Sequence, residues 1–210
     1  MSDTSYITVE KEADDSFVEK RSKFIGYCRP VSTQQEALDF INRIKAKHWD
    51  ARHNVYAYCL RENQVKRYSD DGEPQGTAGM PVLEAMTKNN VTDAVVVVTR
   101  YFGGVLLGTG GLVRAYSHSA VLALQAAGIV KMEQCLVCSL SCDYNQYGKA
   151  SALIPQCGGV IDNSDFGTDV SIDFHINSDG FNTLSKQLAE ATCGQAEPKE
   201  NGREFFVVKE

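Results

Sequence analysis

Val95-Val-Val-Val-Thr-Arg-Tyr-Phe-Gly-Gly-Val-Leu-Leu-Gly-Thr-Gly-Gly-Leu-Val-Arg114 is the stretch on which the reading of this chain turns. Val95 to Thr99 holds four successive valines, the pattern of a strand buried on both faces. A glycine-rich turn follows, and Gly111 opens a long helix. Its stripe is Leu112, Ala115, Tyr116, Ser119, Ala120, Ala123, Leu124 and Ala127, and Gly128 ends it. The stripe is narrow and rich in alanine, so this helix is expected to pack very close to its sheet.

Working outward, Lys23 to Arg29 and Val55 to Leu60 read as strands. Between them Thr33-Gln-Gln-Glu36 forms a capping box that opens a helix with the core stripe Ala37, Phe40, Ile41, Ile44. Asp70-Asp-Gly-Glu-Pro-Gln-Gly-Thr-Ala-Gly79 leads into another helix, with Pro81 near its first turn. Past a boundary near residues 131–134, Leu136 to Asp143 is strand-like and Tyr144 to Ile154 is helical, stopped by Pro155 and Gly158-Gly159. Val160 to Phe166 and Val170 to Ile176 are strands. In the second, Val170, Ile172, Phe174 and Ile176 alternate with mostly polar residues. Phe181, Leu184, Leu188 and Ala191 make a helical stripe, with Ser178 as N-cap and Gly194 as stop, and Arg203 to Lys209 closes with a strand. The fold class is α+β: a mixed α/β domain over residues 1–133, then a ferredoxin-like β-α-β-β-α-β domain over residues 134–210.

The composition is that of a globular protein, 43% apolar and 23% charged over 210 residues. No apolar run reaches the roughly 20 residues of a membrane span. The N-terminus, Met1 to Glu12, lacks a signal-peptide pattern, so a cytoplasmic protein without a membrane partner is expected. Seven irregularly spaced cysteines argue against a disulfide framework. Cys135, Cys138 and Cys142 have no second CxxC or nearby histidine, so they read as small hydrophobes and no metal site is expected. The net charge of -6 resides wholly in residues 134–210. Lys20 to Arg67, by contrast, holds 11 basic and 4 acidic residues, a surplus that attracts phosphates or an acidic surface.

The glycine block supports two readings. Gly103, Gly104, Gly108, Gly110 and Gly111 leave backbone N–H groups bare where a helix dipole favours an anion, and Arg100 and Arg114 add positive charge. Glycines equally serve tight turns and close helix–sheet packing. The block is neither a Walker A loop nor a dinucleotide fingerprint, because Val113 holds the place of the third glycine. Asp70, Asp71 and Glu73 suit either a Mg²⁺–phosphate turn or a solvated turn ahead of a helix. Arg52 and His53 precede a strand, where His53 suits phosphate contact, acid–base chemistry or a structural hydrogen bond.

Three segments, Arg52-His-Asn-Val-Tyr-Ala-Tyr58, Asp70 to Gly79 and Val95 to Gly108, resemble the motifs of the IMPACT family, in the family's order. The match spans roughly residues 15 to 130, and the trailing domain resembles the one appended in bacterial two-domain members. The resemblance implies a first domain like the second domain of a small-subunit ribosomal protein. It implies a second domain similar to a ferredoxin-like domain of elongation factor G. It also implies a role in translational control through a partner, since eukaryotic relatives act that way. Joined to the basic surplus, this gives the expectation of a non-enzymatic regulator of translation without a cofactor, binding RNA, the ribosome or a translation-associated protein through its first domain. The alternative is an enzyme or sensor for a phosphorylated small molecule or nucleotide at the glycine-rich helix start. Oligomeric state has no signature in the sequence.

Overall fold

A computed structural model describes residues 4–208. The expected terminal residue of the last strand, Lys209, lies outside that range. The chain forms two compact units, one of Tyr6–Lys131 and one built on residues 132–208. The strands are β1 (Ser5–Val9), β2 (Ala13–Glu19), β3 (Ser22–Pro30), β4 (His53–Leu60), β5 (Val65–Ser69), β6 (Ala94–Tyr101), β7 (Ile129–Cys142), β8 (Val160–Phe166), β9 (Val170–Ile176) and β10 (Lys199–Val207). The helices are α1 (Gln34–Lys47), α2 (Gly79–Lys88), α3 (Thr109–Ala127), α4 (Tyr144–Gln156) and α5 (Ser178–Thr192).

In the first unit the antiparallel sheet runs β2-β3-β6-β4-β5. The four-valine run lies on its central strand and is fully buried, although the sheet is antiparallel, because helices cover both faces. Alternation divides the run: Val95 and Val97 pack with Phe40, Ile41 and Ile44 of α1, whereas Val96 and Val98 pack with Met86 of α2 and Ala120, Ala123 and Leu124 of α3. The Thr33–Glu36 capping box is formed as the sequence predicts.

The alanine stripe of α3 does bring the helix close. A Cβ placed on Gly26 of β3 would stand 2.5 Å from the Ser119 carbonyl oxygen. Gly26 is therefore required by clearance, with the small face of α3 as its complement.

In the second unit the order β10-β7-β9-β8, with α4 after β7 and α5 after β9, is the ferredoxin-like arrangement. Leu136, Cys138, Leu140 and Cys142 alternate into a core with Ile172, Phe174, Ile154, Leu184 and Leu188. Cys135 points to the other face, as strand periodicity requires. All seven cysteines are free thiols. Burial pushes Cys28 up to about 12 and Cys59 and Cys138 up to about 11, so these three stay neutral and hydrophobic.

Several elements begin elsewhere than the sequence suggests, among them β4 at His53 rather than Val55 and β10 at Lys199 rather than Arg203. Asn177, not Ser178, caps α5, its side chain accepting from the Gly180 N–H. Gly108, not Gly111, precedes the first residue of α3. Finally, β7 starts at Ile129, seven residues before the apolar alternation becomes visible.

Two glycines separate clearance from freedom. Gly26→Ala forces α3 off the sheet and is expected to cost about 1–3 kcal/mol. Gly148→Ala, in α4 with open space around its Cβ position, is expected to stabilise by about 0.5–1 kcal/mol. Thermal unfolding of the two variants checks the opposite signs.

Candidate functional site

Strand direction brings four loops to one end of the first unit's sheet. The registers Lys23↔Tyr101, His53↔Arg100 and Tyr56↔Ser69 place there the starts of β3 and β4 and the ends of β5 and β6. The loops are Lys20–Arg21, His48–Arg52, Asp70–Ala78 and Phe102–Gly108. Gly103 N–H donates to Ser22 Oγ at 3.3 Å, and a Cβ on Gly103 would overlap the Arg21 backbone, so the first and last of these loops touch.

Within this end, Phe24, Arg100 and His53 form one row across β3, β6 and β4, on the face covered by α2 and α3. Arg100 is 5% exposed and Glu73 is 9% exposed. The Arg100 Nη1 donates to Glu73 Oε1 at 2.6 Å, and Tyr116 Oη donates to the same oxygen at 2.8 Å. Burial, reinforced by the Glu73 charge, pushes the Tyr116 phenol far up, so it remains a donor. His53 Nδ1 lies 2.8 Å from the Asp71 carbonyl oxygen, which only accepts, so Nδ1 carries the proton. Its Nε2 stands 3.8 Å from Glu73 Oε1.

The acidic turn serves the fold. Asp70 accepts from the N–H groups of Gly76, Ala78 and Gly79, which caps α2 from a distance. Asp71 accepts from the Asn54 N–H and pairs with Lys45 Nζ, each at 2.7 Å. Glu73 is engaged by Arg100. Among the described residues no group of three or more His, Cys, Asp or Glu side chains is placed to hold a metal ion.

A cleft of about 430 Å³ opens beside this row. Of the residues singled out from sequence, Arg52, His53, Glu73, Arg100 and Gly108 line it, together with Phe102, Leu106 and Leu112. Gly103, Gly104, Gly110, Gly111, Arg114, Asp70 and Asp71 are not among its lining residues. The glycines fall into three uses. Gly103 and Gly111 provide clearance, Gly111 from Leu107 Cβ at 2.9 Å. Gly104 and Gly108 have φ of 82° and 73°, which favours glycine. Gly110 has neither constraint, since a Cβ there would meet only Arg114 Nη1 at 3.7 Å.

Around the cleft the same end carries a basic, aromatic surface. Of the 11 basic residues between Lys20 and Arg67, Arg29, Arg43, Lys45 and Arg61 are paired with Glu12, Asp71 or Asp93. Lys66 and Arg67 lie on edge strand β5. The remaining Lys20, Arg21, Lys23, Lys47 and Arg52 are exposed, form no ion pair among the described residues, and flank these loops. Trp49 is 82% exposed among them, and Phe102 is 40% exposed with the Arg52 guanidinium 6.0 Å from its ring centroid. The exposed acids of this region are Glu19, at the end of β2 beside Lys20, and Asp50, which accepts from Tyr101 Oη at 3.0 Å. Tyr101 in turn accepts from His48 Nδ1 at 2.8 Å, and His48 Nε2 accepts from Tyr27 Oη at 2.7 Å. Burial, then Lys47, lowers the His48 pKa, which keeps this chain of bonds neutral.

Trp49, Lys47, Phe102 and Tyr116 were not singled out as site residues by sequence. The one tryptophan of the chain, set within Lys45-Ala-Lys-His-Trp-Asp-Ala-Arg52, is a signal for the first two. His175, which carries no signal in sequence, pairs with Asp162 at 2.8 Å and stacks on Phe206 at 3.7 Å in the second unit. Cys135 lines a pocket of the second unit together with Asp162, His175 and Phe206. Burial and then Glu133 raise its thiol, the reverse of what an attacking thiolate needs.

Comparison with known proteins identifies both units. The Impact N-terminal domain model matches residues 20–124, and a domain of unknown function (DUF1949) matches residues 140–195. The chain is 38% identical to the IMPACT family member YvyE of Bacillus subtilis over 197 residues, 93% of this chain and 91% of that protein. It is 35% identical to the IMPACT family member YigZ of Escherichia coli over 178 residues, 83% of this chain and 87% of that one. A Dictyostelium discoideum Protein IMPACT homolog is 36% identical over 108 residues, 49% of this chain and 30% of that protein. A crystal structure described only as a hypothetical protein aligns with a TM-score of 0.60 at 31% identity, over 99% of this chain and 98% of that one. No helix among the described residues is long and apolar enough to cross a membrane.

The buried pair makes the site's most definite stability claim. Glu73→Ala leaves Arg100 buried without its counter-charge and is expected to destabilise the first unit by about 3–5 kcal/mol. Adding Arg100→Met removes the orphaned charge and is expected to recover much of the loss. Urea unfolding followed by circular dichroism checks the cycle; equal losses in the single and double variants would refute it.

Proposed function

The chain belongs to the IMPACT family, and from that premise we propose that it is a non-enzymatic regulator of translation whose first unit binds single-stranded RNA at the four-loop end of its sheet. One observation carries the reading. Lys20, Arg21, Lys23, Lys47 and Arg52 flank the loops of that one end, unpaired, with Trp49 and Phe102 exposed among them. Cations supply sequence-independent attraction to phosphates, and exposed rings supply stacking platforms for unpaired bases. A duplex hides its base faces, so an exposed tryptophan beside lysines favours single strands.

Apart from Glu19, exposed beside Lys20, the acids near this end are engaged elsewhere. Asp70, Asp71 and Glu73 are turned to backbone N–H groups, Lys45 and Arg100, and Asp50 is held by Tyr101. The negative charge of residues 134–210 opposes nucleic-acid contact there.

Fluorescence anisotropy with a labelled single-stranded oligoribonucleotide over a salt series tests the reading. Affinity is expected to fall steeply with salt, with a log–log slope of about -0.7 per phosphate neutralised. Trp49→Ala is expected to weaken binding by about 1–3 kcal/mol, and Lys20→Ala with Lys23→Ala to flatten the salt slope. Absence of any association at about 50 mM salt would sink the reading.

A further inference from the structure

We propose that the cleft beside α3 is a seat for the phosphate of a 5′-phosphorylated ribonucleotide, either free or as the first nucleotide of an RNA strand. The inference deepens the RNA reading and rests on it only for the second of these sources. Two independent features point to the ligand. First, α3 begins at the cleft with no capping side chain and no acidic residue in its first turn, so the N–H groups ahead of Leu112, which itself donates to the Gly108 carbonyl, meet no side-chain acceptor. Second, Arg100 lines the same cleft while 95% buried, and its Nε has no hydrogen-bond partner. Of the guanidinium's five donors, one reaches Glu73 at 2.6 Å and one reaches Ser22 only at 3.4 Å. Buried donors of a charged group call for an acceptor, and a phosphate supplies several.

The charges fit one dianion. Glu73 offsets the Arg100 charge, which leaves the Arg52 guanidinium and the helix dipole for the phosphate. Glu73 also places a carboxylate on the cleft wall, an acceptor for ribose hydroxyls. The exposed Phe102 ring and Leu106 give a base an apolar surface.

Isothermal titration of the full chain with AMP, with a 5′-phosphorylated oligoadenylate, and with the same oligomer ending in a 5′-hydroxyl tests the proposal. Thr109→Asp, at a cleft-lining residue in the first turn of α3, is the decisive variant. A carboxylate in the first turn favours the helix, so the fold is retained, but it repels a phosphate in the cleft. The expected result is that AMP binds and the phosphorylated oligomer is preferred by about tenfold or more, with both effects lost in Thr109→Asp. Binding of AMP with neither oligomer would keep the cleft and assign it to free nucleotides, while removing the RNA reading. Equal binding of the two oligomers without AMP would overturn the cleft proposal and leave the RNA reading standing. Unchanged phosphate preference in folded Thr109→Asp would overturn it as well.

Discussion

A charge buried in a protein interior must meet its opposite, and in this chain that demand falls on Arg100 and Glu73. Arg100 stands at the end of the central strand β6, under the start of α3. Glu73 comes from a loop, and its carboxylate is shared with Tyr116 of α3 and faces His53 of β4. One oxygen therefore connects β6, α3 and the β5–α2 loop. Loops are ordinarily the variable part of a fold; these are held by a contact whose loss costs as much as a large core cavity.

The same arrangement explains where charge is left over. Each acid of the Asp70–Glu73 turn is used inward, on the N–H groups of α2, on Lys45 and Asn54, or on Arg100. Cations on the neighbouring loops have no such use and remain at the surface beside Trp49 and Phe102. Fixing the loops and exposing the cations are thus two results of one distribution of carboxylates. The cleft lies between them, with a paired guanidinium at its wall and an uncapped helix at its mouth.

What was legible in the sequence follows the range of each interaction. The valine strand, the Thr33–Glu36 box, the alanine stripe and the ferredoxin-like order depend on periodicity within a few residues, and each is present. Strands β1, β2 and β5 were not legible. Segments such as Ala-Asp-Asp-Ser-Phe-Val-Glu are strands because a neighbour pairs with them, and at a sheet edge little alternation is imposed. The basic surplus was visible as a count, but its spending was not. Arg43 meets Glu12 and Arg61 meets Asp93 from about thirty residues away, and only the fold makes those pairs. The glycine block stayed ambiguous because clearance, positive φ and a bare N–H are met by the same residue type. Geometry assigns Gly103 and Gly111 to the first and Gly104 and Gly108 to the second, and Gly110 meets neither requirement.

The central claim is that one end of the first unit meets RNA. Because Trp49 is the only tryptophan, a ¹H–¹⁵N spectrum of the labelled full chain carries a single indole N–H signal at that end. Titration with a single-stranded oligoribonucleotide should move this signal together with the backbone amides of residues 20–23, 47–53 and 102–111, and leave those of residues 140–195 in place. A still indole signal at saturating RNA, or shifts concentrated in residues 140–195, would contradict it.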